Sequence, residues 1–264
     1  ISLDCLKNNK SEGILFTPYL IYDSPIENYN ANLSKVTDDF QQILSDGGEP
    51  KVFYCYDSIP PELLFNYSHI MQLRWAKYIF QYDVNKPLMV DDIKIPVCIQ
   101  NTFDRFNEVV QQFDMTLIIG EHILQTTFEE IKYFAYLKLF SKDYLSKLEI
   151  EINQFIDELE SYSLSGKNQI NKRFDIYLYH VYSTGSLVLA EGAYRNIAYL
   201  KTYGTNYFST ENPVVCEAQK SWIKDMKKNS TYITQSGEII RVKLFREQRL
   251  QLDKCVQAAL PFLD

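Results

Sequence analysis

The sequence predicts a mainly α-helical protein, a helical bundle with a smaller N-terminal region of mixed helix and short strands. Over most of the chain, apolar residues recur at spacings of three and four, the period of an amphipathic helix. The 264 residues include 20 Tyr and 16 Phe but only 9 Gly, so rings are available for helix interfaces and few tight turns are expected. Apolar residues at 46% and charged residues at 23% are typical of a folded globular protein.

The N-terminal region differs from the remainder in its composition. Residues 15–22 and 51–56 are rich in aromatic and β-branched side chains, with Pro or Gly nearby, which favours short strands or extended arms. Between them one amphipathic helix is predicted over residues 32–45, followed by a glycine stop at Gly47-Gly48. Its apolar stripe consists of Leu33, Val36, Phe40 and Leu44.

A long helix over residues 63–82 follows, because Ser58-Ile-Pro-Pro-Glu62 suits a helix start and no breaker interrupts the next twenty residues. Pro87 and Pro96 then bracket a segment that is typical of a connection. We therefore predict two domains, a mixed region over residues 1–90 and a helical bundle over residues 91–264.

The bundle is predicted from successive apolar stripes. The predicted helices cover about residues 101–120, 128–137, 145–159, 169–203, 217–228 and 239–260. The first stripe extends to Leu117, and the fourth is weakened by Ser183-Thr-Gly-Ser186 and Gly192. Short connections between stripes predict antiparallel neighbours.

The five cysteines show neither a C-x-x-C spacing nor a cluster with histidine that would hold zinc, so disulfides are predicted. Two bridges and one thiol can be arranged in fifteen ways, and sequence alone does not choose among them. Bridges that tie down the two terminal segments would be Cys5–Cys55 and Cys216–Cys255. Cys98 is then predicted to be a small, buried apolar residue. The alternative is a cytosolic protein whose cysteines are all reduced.

Secretion is predicted from the same observations and two further ones. The sequence begins with Ile1, which either removal of a signal peptide or the choice of chain ends would explain. Three sequons, at Asn32, Asn66 and Asn229, are compatible with a glycoprotein, although sequons also arise by chance. No apolar run approaches the roughly 20 residues that span a bilayer, so no transmembrane segment is expected.

No catalytic signature is found, so a non-enzymatic protein without cofactor or metal is predicted. The three histidines lie far apart, and the zinc-protease, phosphate-loop, dinucleotide and nucleophile-elbow motifs are absent. A pairing of Cys98 with His180 as nucleophile and base is the remaining catalytic alternative. For His180, a hydrogen-bonded ring among tyrosines is the simpler interpretation.

The charge distribution predicts the binding surface. Residues 220–249 carry a net charge of +5, whereas the whole chain carries −7. The basic residues are Lys220, Lys224, Lys227, Lys228, Arg241, Lys243, Arg246 and Arg249. Such a patch steers a protein towards an acidic protein, an acidic glycan or lipid headgroups. Nucleic acid is not expected, because the chain is acidic and has no aromatic RNA-binding motif. The alternative is pairing of these charges with acidic helices of the same molecule.

The start Ile1-Ser-Leu-Asp-Cys5, an acidic helical body, scattered cysteines and the absence of a catalytic signature together resemble the culicine mosquito salivary proteins of the thirty-four-kilodalton family. The resemblance implies secretion into saliva and a non-enzymatic role at the feeding site, through a host target or the mouthpart cuticle. Binding of a protein or glycan partner is thus the predicted function. A carrier of a small apolar ligand within the bundle, and an unrecognised hydrolase, are the alternatives.

Overall fold

The fold is α/β, so the prediction of a mainly α-helical bundle is wrong. The computed structural model describes residues 17–18, 25–82, 89–179, 186–201, 207–234 and 238–263. Within these ranges, the chain forms one mixed sheet of eight strands together with seven α-helices.

The strands are β1 (Thr17–Pro18), β2 (Lys51–Tyr56), β3 (Asp114–Gly120), β4 (Phe174–Tyr179), β5 (Ser186–Glu191), β6 (Asn196–Lys201), β7 (Tyr207–Thr210) and β8 (Ser230–Tyr232). The helices are α1 (Pro25–Ser45), α2 (Ser68–Tyr82), α3 (Val97–Val110), α4 (Gln125–Tyr136), α5 (Lys142–Ser165), α6 (Pro213–Lys228) and α7 (Glu238–Ala259). The order of strands across the sheet is β1-β7-β6-β5-β2-β3-β4-β8.

The central strands β2, β3 and β4 are parallel, and all other pairings are antiparallel. Helices α2 and α3 connect β2 to β3, and α4 and α5 connect β3 to β4. Both connections step in the same direction across the sheet, and crossovers of this kind are right-handed almost without exception. All four helices are therefore expected on one face, where α1 and α7 also pack.

This helical face contains the larger hydrophobic core, in which Tyr54, Leu117 and Ile176 of the sheet meet Phe106 and Phe245 of the helices. The opposite face, which we call the open face, is covered by α6 alone among the described helices. Its smaller cluster consists of Cys55, Ile118, Leu187, Leu189, Ala198, Cys216, Ile223 and Met226.

The helix predicted over residues 169–203 is wrong, because β4, β5 and β6 occupy this stretch. In β4, Ile176 and Leu178 point into the helical face while Tyr177 and Tyr179 lie on the open face. Strands that are apolar on both sides show no alternation of apolar and polar residues, so their period of two is hidden. The hidden period of two also explains why the predicted helix over residues 101–120 extends too far: Leu117 belongs to the buried strand β3.

Other local predictions are confirmed. Strand β2 has the predicted bounds, and α1, α5, α6 and α7 contain the predicted stripes. Ser141 caps α5 by accepting a hydrogen bond from the backbone N–H of Tyr144 at 3.1 Å, and Gly166 ends the helix at φ +69°. Helix α6 begins with Asn212 as N-cap and Pro213 in its first turn.

The predicted boundary near residue 90 separates elements that share one sheet. Strand β2, from the predicted N-terminal region, is hydrogen bonded to β3 on one side and to β5 on the other. Helix α1 packs on α3 and contributes Phe40 to the larger core. The two predicted regions are thus joined through the centre of the sheet.

The predicted disulfides are not found. Among the described residues Cys55, Cys98, Cys216 and Cys255 are all free thiols, and Cys5 lies outside the described residues. Cys216 is buried on the open face, whereas Cys255 is buried on the helical face. The sheet therefore separates the cysteines of the second predicted pair. Cys98 is exposed and not buried, contrary to its prediction.

Candidate functional site

The eight predicted binding residues are divided between the two faces of the sheet. Four lysines lie on α6 over the open face, and the other four basic residues lie on α7, which packs against the helical face. The basic segment is continuous in sequence but not in space, because α6 and α7 pack against opposite faces of the sheet.

The four lysines of α6 line a groove of about 520 Å³ between this helix and the sheet. Its lining consists of Phe53, Tyr177, Leu189, Glu191, Lys220, Ile223, Lys224, Lys227 and Lys228. On α6, the residues at 220, 223, 224 and 227 follow the spacing of one helical stripe, so they turn to the same side of the helix. Buried Ile223 anchors that stripe to the sheet, and the lysines surround it.

The floor of the groove comes from three strands. Phe53 of β2 stands directly opposite Leu189 of the neighbouring β5, and Tyr177 lies on β4, beyond β3. Tyr177 is fixed by the ring of Tyr232 on β8, with 4.8 Å between the ring centroids. Two rings and one aliphatic side chain of the sheet, together with Ile223 of α6, therefore form an apolar floor beneath a cationic rim.

The lysines of the rim have different partners. Lys220 contacts the carboxylates of Glu191 and Glu217 at 3.2 and 3.0 Å, and Lys228 contacts Asp225 at 3.3 Å. Lys224 is exposed and forms no ion pair with any residue that the structure describes. The middle of the groove therefore carries uncompensated positive charge, while Glu191 neutralises the end at Lys220.

Lys227 lies deepest in the groove. Its Nζ is 4.6 Å from the centroid of the Tyr177 ring and 5.9 Å from that of Phe53, within reach of cation–π attraction. Burial lowers the pKa of Lys227, and the positive charges of Arg173 and Lys51 add to this effect against the opposing charge of Asp175. The Lys227 amine is thus the least solvated of the four.

A second cavity of about 240 Å³ continues from Phe53 and Lys227 to the amino-terminal ends of β2, β3 and β4. Its buried carboxylate, Asp175, accepts hydrogen bonds from Arg173 Nε and from the Tyr232 hydroxyl, both at 2.8 Å. Burial and the bond to Asp175 raise the pKa of Tyr232 to about 12. Asp175 is therefore hydrogen bonded to Arg173 and Tyr232, and Lys227 forms no ion pair with the residues that the structure describes.

The basic residues of α7 have a different environment. Arg249 bridges α7 to α5 through Asp157 and Glu160, at 2.7 and 2.6 Å. Arg249 therefore fits the alternative prediction for the basic segment, in which its charges pair with acidic helices of the same molecule. Lys243 and Arg246 are exposed, and Arg241 is half-buried with a further interaction of its own.

The surroundings of His69 do not form a catalytic relay. Glu151 accepts hydrogen bonds from His69 Nδ1 at 2.7 Å and from the Ser68 hydroxyl at 3.0 Å, and the same carboxylate accepts the backbone N–H groups of His69 and Ile70. Ser68 and Glu151 both meet Nδ1, so the ring does not connect them through its two nitrogens as a triad requires. This constellation caps the N-terminus of α2.

The described ranges contain no cluster of three or more side chains suited to a metal ion. His180, the predicted partner of Cys98, lies outside the described residues. In the same ranges, no helix combines the length and apolar character that crossing a membrane requires.

No family model matches the chain, and comparisons with curated proteins and with solved structures likewise give no match. The resemblance to the mosquito salivary family therefore stays a prediction. What the fold and the site define is an α/β protein with a lysine-rimmed, aromatic-floored groove on the open face of its sheet.

Sequence reasoning found the lysines of this groove but not its floor. The sequence predicts a short strand or an extended arm for Phe53, but a helix for Tyr177 and Leu189. For Tyr177, the available signal is the aromatic content of residues 174–179, which favours a strand, whereas residues 186–191 contain a single β-branched residue and give little indication of the strand that holds Leu189.

Proposed function

We propose that this chain is a non-enzymatic binding protein that holds an acidic segment of a partner protein in the groove beneath α6. One observation carries the proposal: four lysines surround an apolar floor within a single groove of about 520 Å³.

The chemistry of the groove suits a peptide with both acidic and apolar side chains. Carboxylates would meet Lys224 and Lys228 at the rim, where partial exposure limits each charge pair to about 0.2–1 kcal/mol. Apolar side chains would cover Phe53, Leu189 and Ile223 and remove their surface from water. Charge provides attraction and orientation, and the floor provides contact area.

An acidic glycan fits the same rim less well. Sugar hydroxyl groups lose hydrogen bonds to water on binding, and they require acceptors in return. The carboxylate that lines the groove is Glu191, and Lys220 already occupies it at 3.2 Å. We therefore favour a protein partner, and the experiment below distinguishes the two.

The alternative of an apolar-ligand carrier finds less support. On the helical side, the cavity that Leu63, Asn107, Phe155 and Phe174 help to enclose measures about 60 Å³. A space of this size holds about two water molecules and is well below the size of a ligand pocket.

The setting that we propose for this binding is extracellular, with the salivary role as its most specific form. Asn66 and Asn229 are exposed, so both are accessible to a glycosylating enzyme, whereas Asn32 is only 3% exposed within α1. The free thiols give no support to secretion. Expression with a signal peptide in insect cells tests the setting. We expect glycans at Asn66 and Asn229 and none at Asn32, and secretion of unglycosylated protein would argue against this setting.

Binding itself is tested with a fluorescent peptide of alternating Glu and Leu residues, titrated at low and at high salt. We expect the double variant Lys224→Gln, Lys228→Gln to bind about tenfold more weakly, which corresponds to about 1.4 kcal/mol for two rim contacts. High salt should weaken the wild type and have less effect on the variant.

The matched control is Lys243→Gln, Arg246→Gln, which removes the same charge from the helical side of the molecule. Equal losses in the two double variants would show that net charge, and not the groove, attracts the peptide. If heparin binds through Lys224 and Lys228 while the peptide does not bind, the partner class is a glycan and the proposal of a protein partner is wrong.

A further inference from the structure

Lys227 differs from the other lysines of the groove in position and in surroundings. It lines both the 520 Å³ groove and the 240 Å³ cavity behind it, so space for a small molecule exists on both sides of its amine. The rings of Tyr177 and Phe53 replace part of its hydration shell. The side chain is half-buried but reachable.

The Lys227 amine also has no ion pair with the residues that the structure describes. The neighbouring carboxylate, Asp175, is engaged by Arg173 and Tyr232 at 2.8 Å each. Loss of the Lys227 proton therefore breaks no salt bridge. By contrast, Lys220 and Lys228 each contact a carboxylate.

Burial lowers the pKa of Lys227, and the positive charges of Arg173 and Lys51 act in the same direction. The negative charge of Asp175 and cation–π attraction to the two rings act against this effect, because both favour the charged amine. A neutral amine in an accessible, partly desolvated pocket is the state in which lysine acts as a nucleophile.

We propose that Lys227 is a covalent capture site for small aldehydes that carry an anionic group. The neutral Nζ attacks the carbonyl carbon, a C–N bond forms, and one amine proton passes to the oxygen to give a carbinolamine. Loss of one water molecule then gives the imine, with no oxidant or reductant involved. Exposed Lys224 and Lys228, at the rim of the same groove, would hold the anionic group.

This inference uses the groove of the proposed function but does not rest on its protein partner. The probe is pyridoxal phosphate, which combines an aldehyde with an anion. After incubation, borohydride reduction fixes each imine, and peptide mass spectrometry locates it. Because burial lowers the pKa of Lys227, more of this amine is neutral at a given pH, and we expect Lys227 to carry most of the label.

The decisive variant is Lys227→Arg, which keeps the charge and removes the nucleophile. We expect it to lose the dominant label, while the matched Lys243→Arg, outside the groove, keeps it. Even labelling of all exposed lysines, or an unchanged total label in Lys227→Arg, would overturn the proposal. Benzaldehyde, which has no anion, should label Lys227 more weakly, and equal labelling by the two aldehydes would overturn the anion requirement.

The two proposals fail separately. Peptide binding and aldehyde labelling are both measured on the wild-type protein, so the outcome of one does not depend on the other. Absent aldehyde labelling with intact peptide binding would overturn only the capture site. Selective labelling of Lys227 without peptide binding would overturn only the proposed partner. Circular dichroism of each variant confirms that the comparison is between folded proteins.

Discussion

The two faces of the sheet differ in how completely helices cover them. On the helical face, six helices cover the sheet and bury residues such as Phe106, Phe113 and Phe245 completely. On the open face α6 is the covering helix, and Phe53 and Tyr177 stay partly accessible beside it. A sheet that is fully covered on one side can leave the other side available for a ligand.

The basic residues show the same division. Arg249, over the helical face, is held by two carboxylates of α5 and serves to join helices. Lys224, over the open face, faces a groove and pairs with no described residue. Residues of the same charge and from one segment therefore have different roles, because the faces on which they lie differ in what covers them.

The largest expected difference between the faces is in stability. Phe245→Ala removes a fully buried ring from the larger core and should lower the free energy of unfolding by about 3–5 kcal/mol. Phe53→Ala, on the half-covered face, should cost about 1–2 kcal/mol, because part of its ring already contacts water. Urea denaturation measures both, and equal losses would show that α6 packs the open face as tightly as the helical face is packed.

A second difference concerns alkaline pH. Burial raises the pKa of Cys55, on the open face, from 9.0 to about 12, and that of Cys255, on the helical face, to about 11. Above pH 9 the unfolded chain loses these protons while the folded chain keeps them, so stability falls as pH rises from 9 towards the folded values. Below pH 9 neither thiol contributes to the pH dependence.

In Cys55→Ala the free energy of unfolding should decrease less between pH 9 and pH 10, and the loss at pH 10 should be smaller than in the wild type by about 1 kcal/mol. Cys255→Ala should reduce the decrease over a narrower range, ending near pH 11. Urea denaturation at a series of pH values between neutrality and pH 11 measures the slope. A slope that Cys55→Ala leaves unchanged would mean that the small cluster of the open face admits water.

The smallest expected effect distinguishes the two classes of basic residue. Arg249→Gln should lower the free energy of unfolding by about 0.5–1 kcal/mol, since its ion pairs are partly exposed, and should not change peptide affinity. Lys224→Gln should do the reverse, weakening peptide binding with a change in stability below about 0.5 kcal/mol. If Arg249→Gln weakened peptide binding and Lys224→Gln lowered stability instead, the recognition surface would lie on α7.

Amphipathic helices were the predictable part of this fold. Each of α1, α5, α6 and α7 has one polar face, so the apolar stripe is visible in the sequence. Strands β3 to β5 were not predictable from periodicity, because both their faces are covered in the centre of the sheet. A buried strand and a buried helix segment have the same apolar composition over so short a length.

The candidate site was half predictable for a related reason. Net charge located Lys220 to Lys228, since charge is a local property of the sequence. The floor depends on pairing between distant segments: Phe53 and Leu189 are neighbours only because β2 and β5 are hydrogen bonded. Sequence spacing contains no information on that pairing. A helix predicted over residues 169–203 also leaves no place for β4 and β5, which carry Tyr177 and Leu189.

The position of β2 in the sheet also sets an order of assembly. Lys51 pairs with Asp114 and with Glu191, which lies 140 positions further along the chain. Contacts this remote in sequence form slowly, because a long loop must close before any of them contributes. During synthesis β2 is made before β5, and α6 is made later still. We therefore expect the edge of β2 that pairs with β5 to stay unpaired in the nascent chain, and the groove to be among the last features to form. A ribosome-bound chain that ends before residue 186 should therefore depend on chaperones far more than one that ends after residue 234.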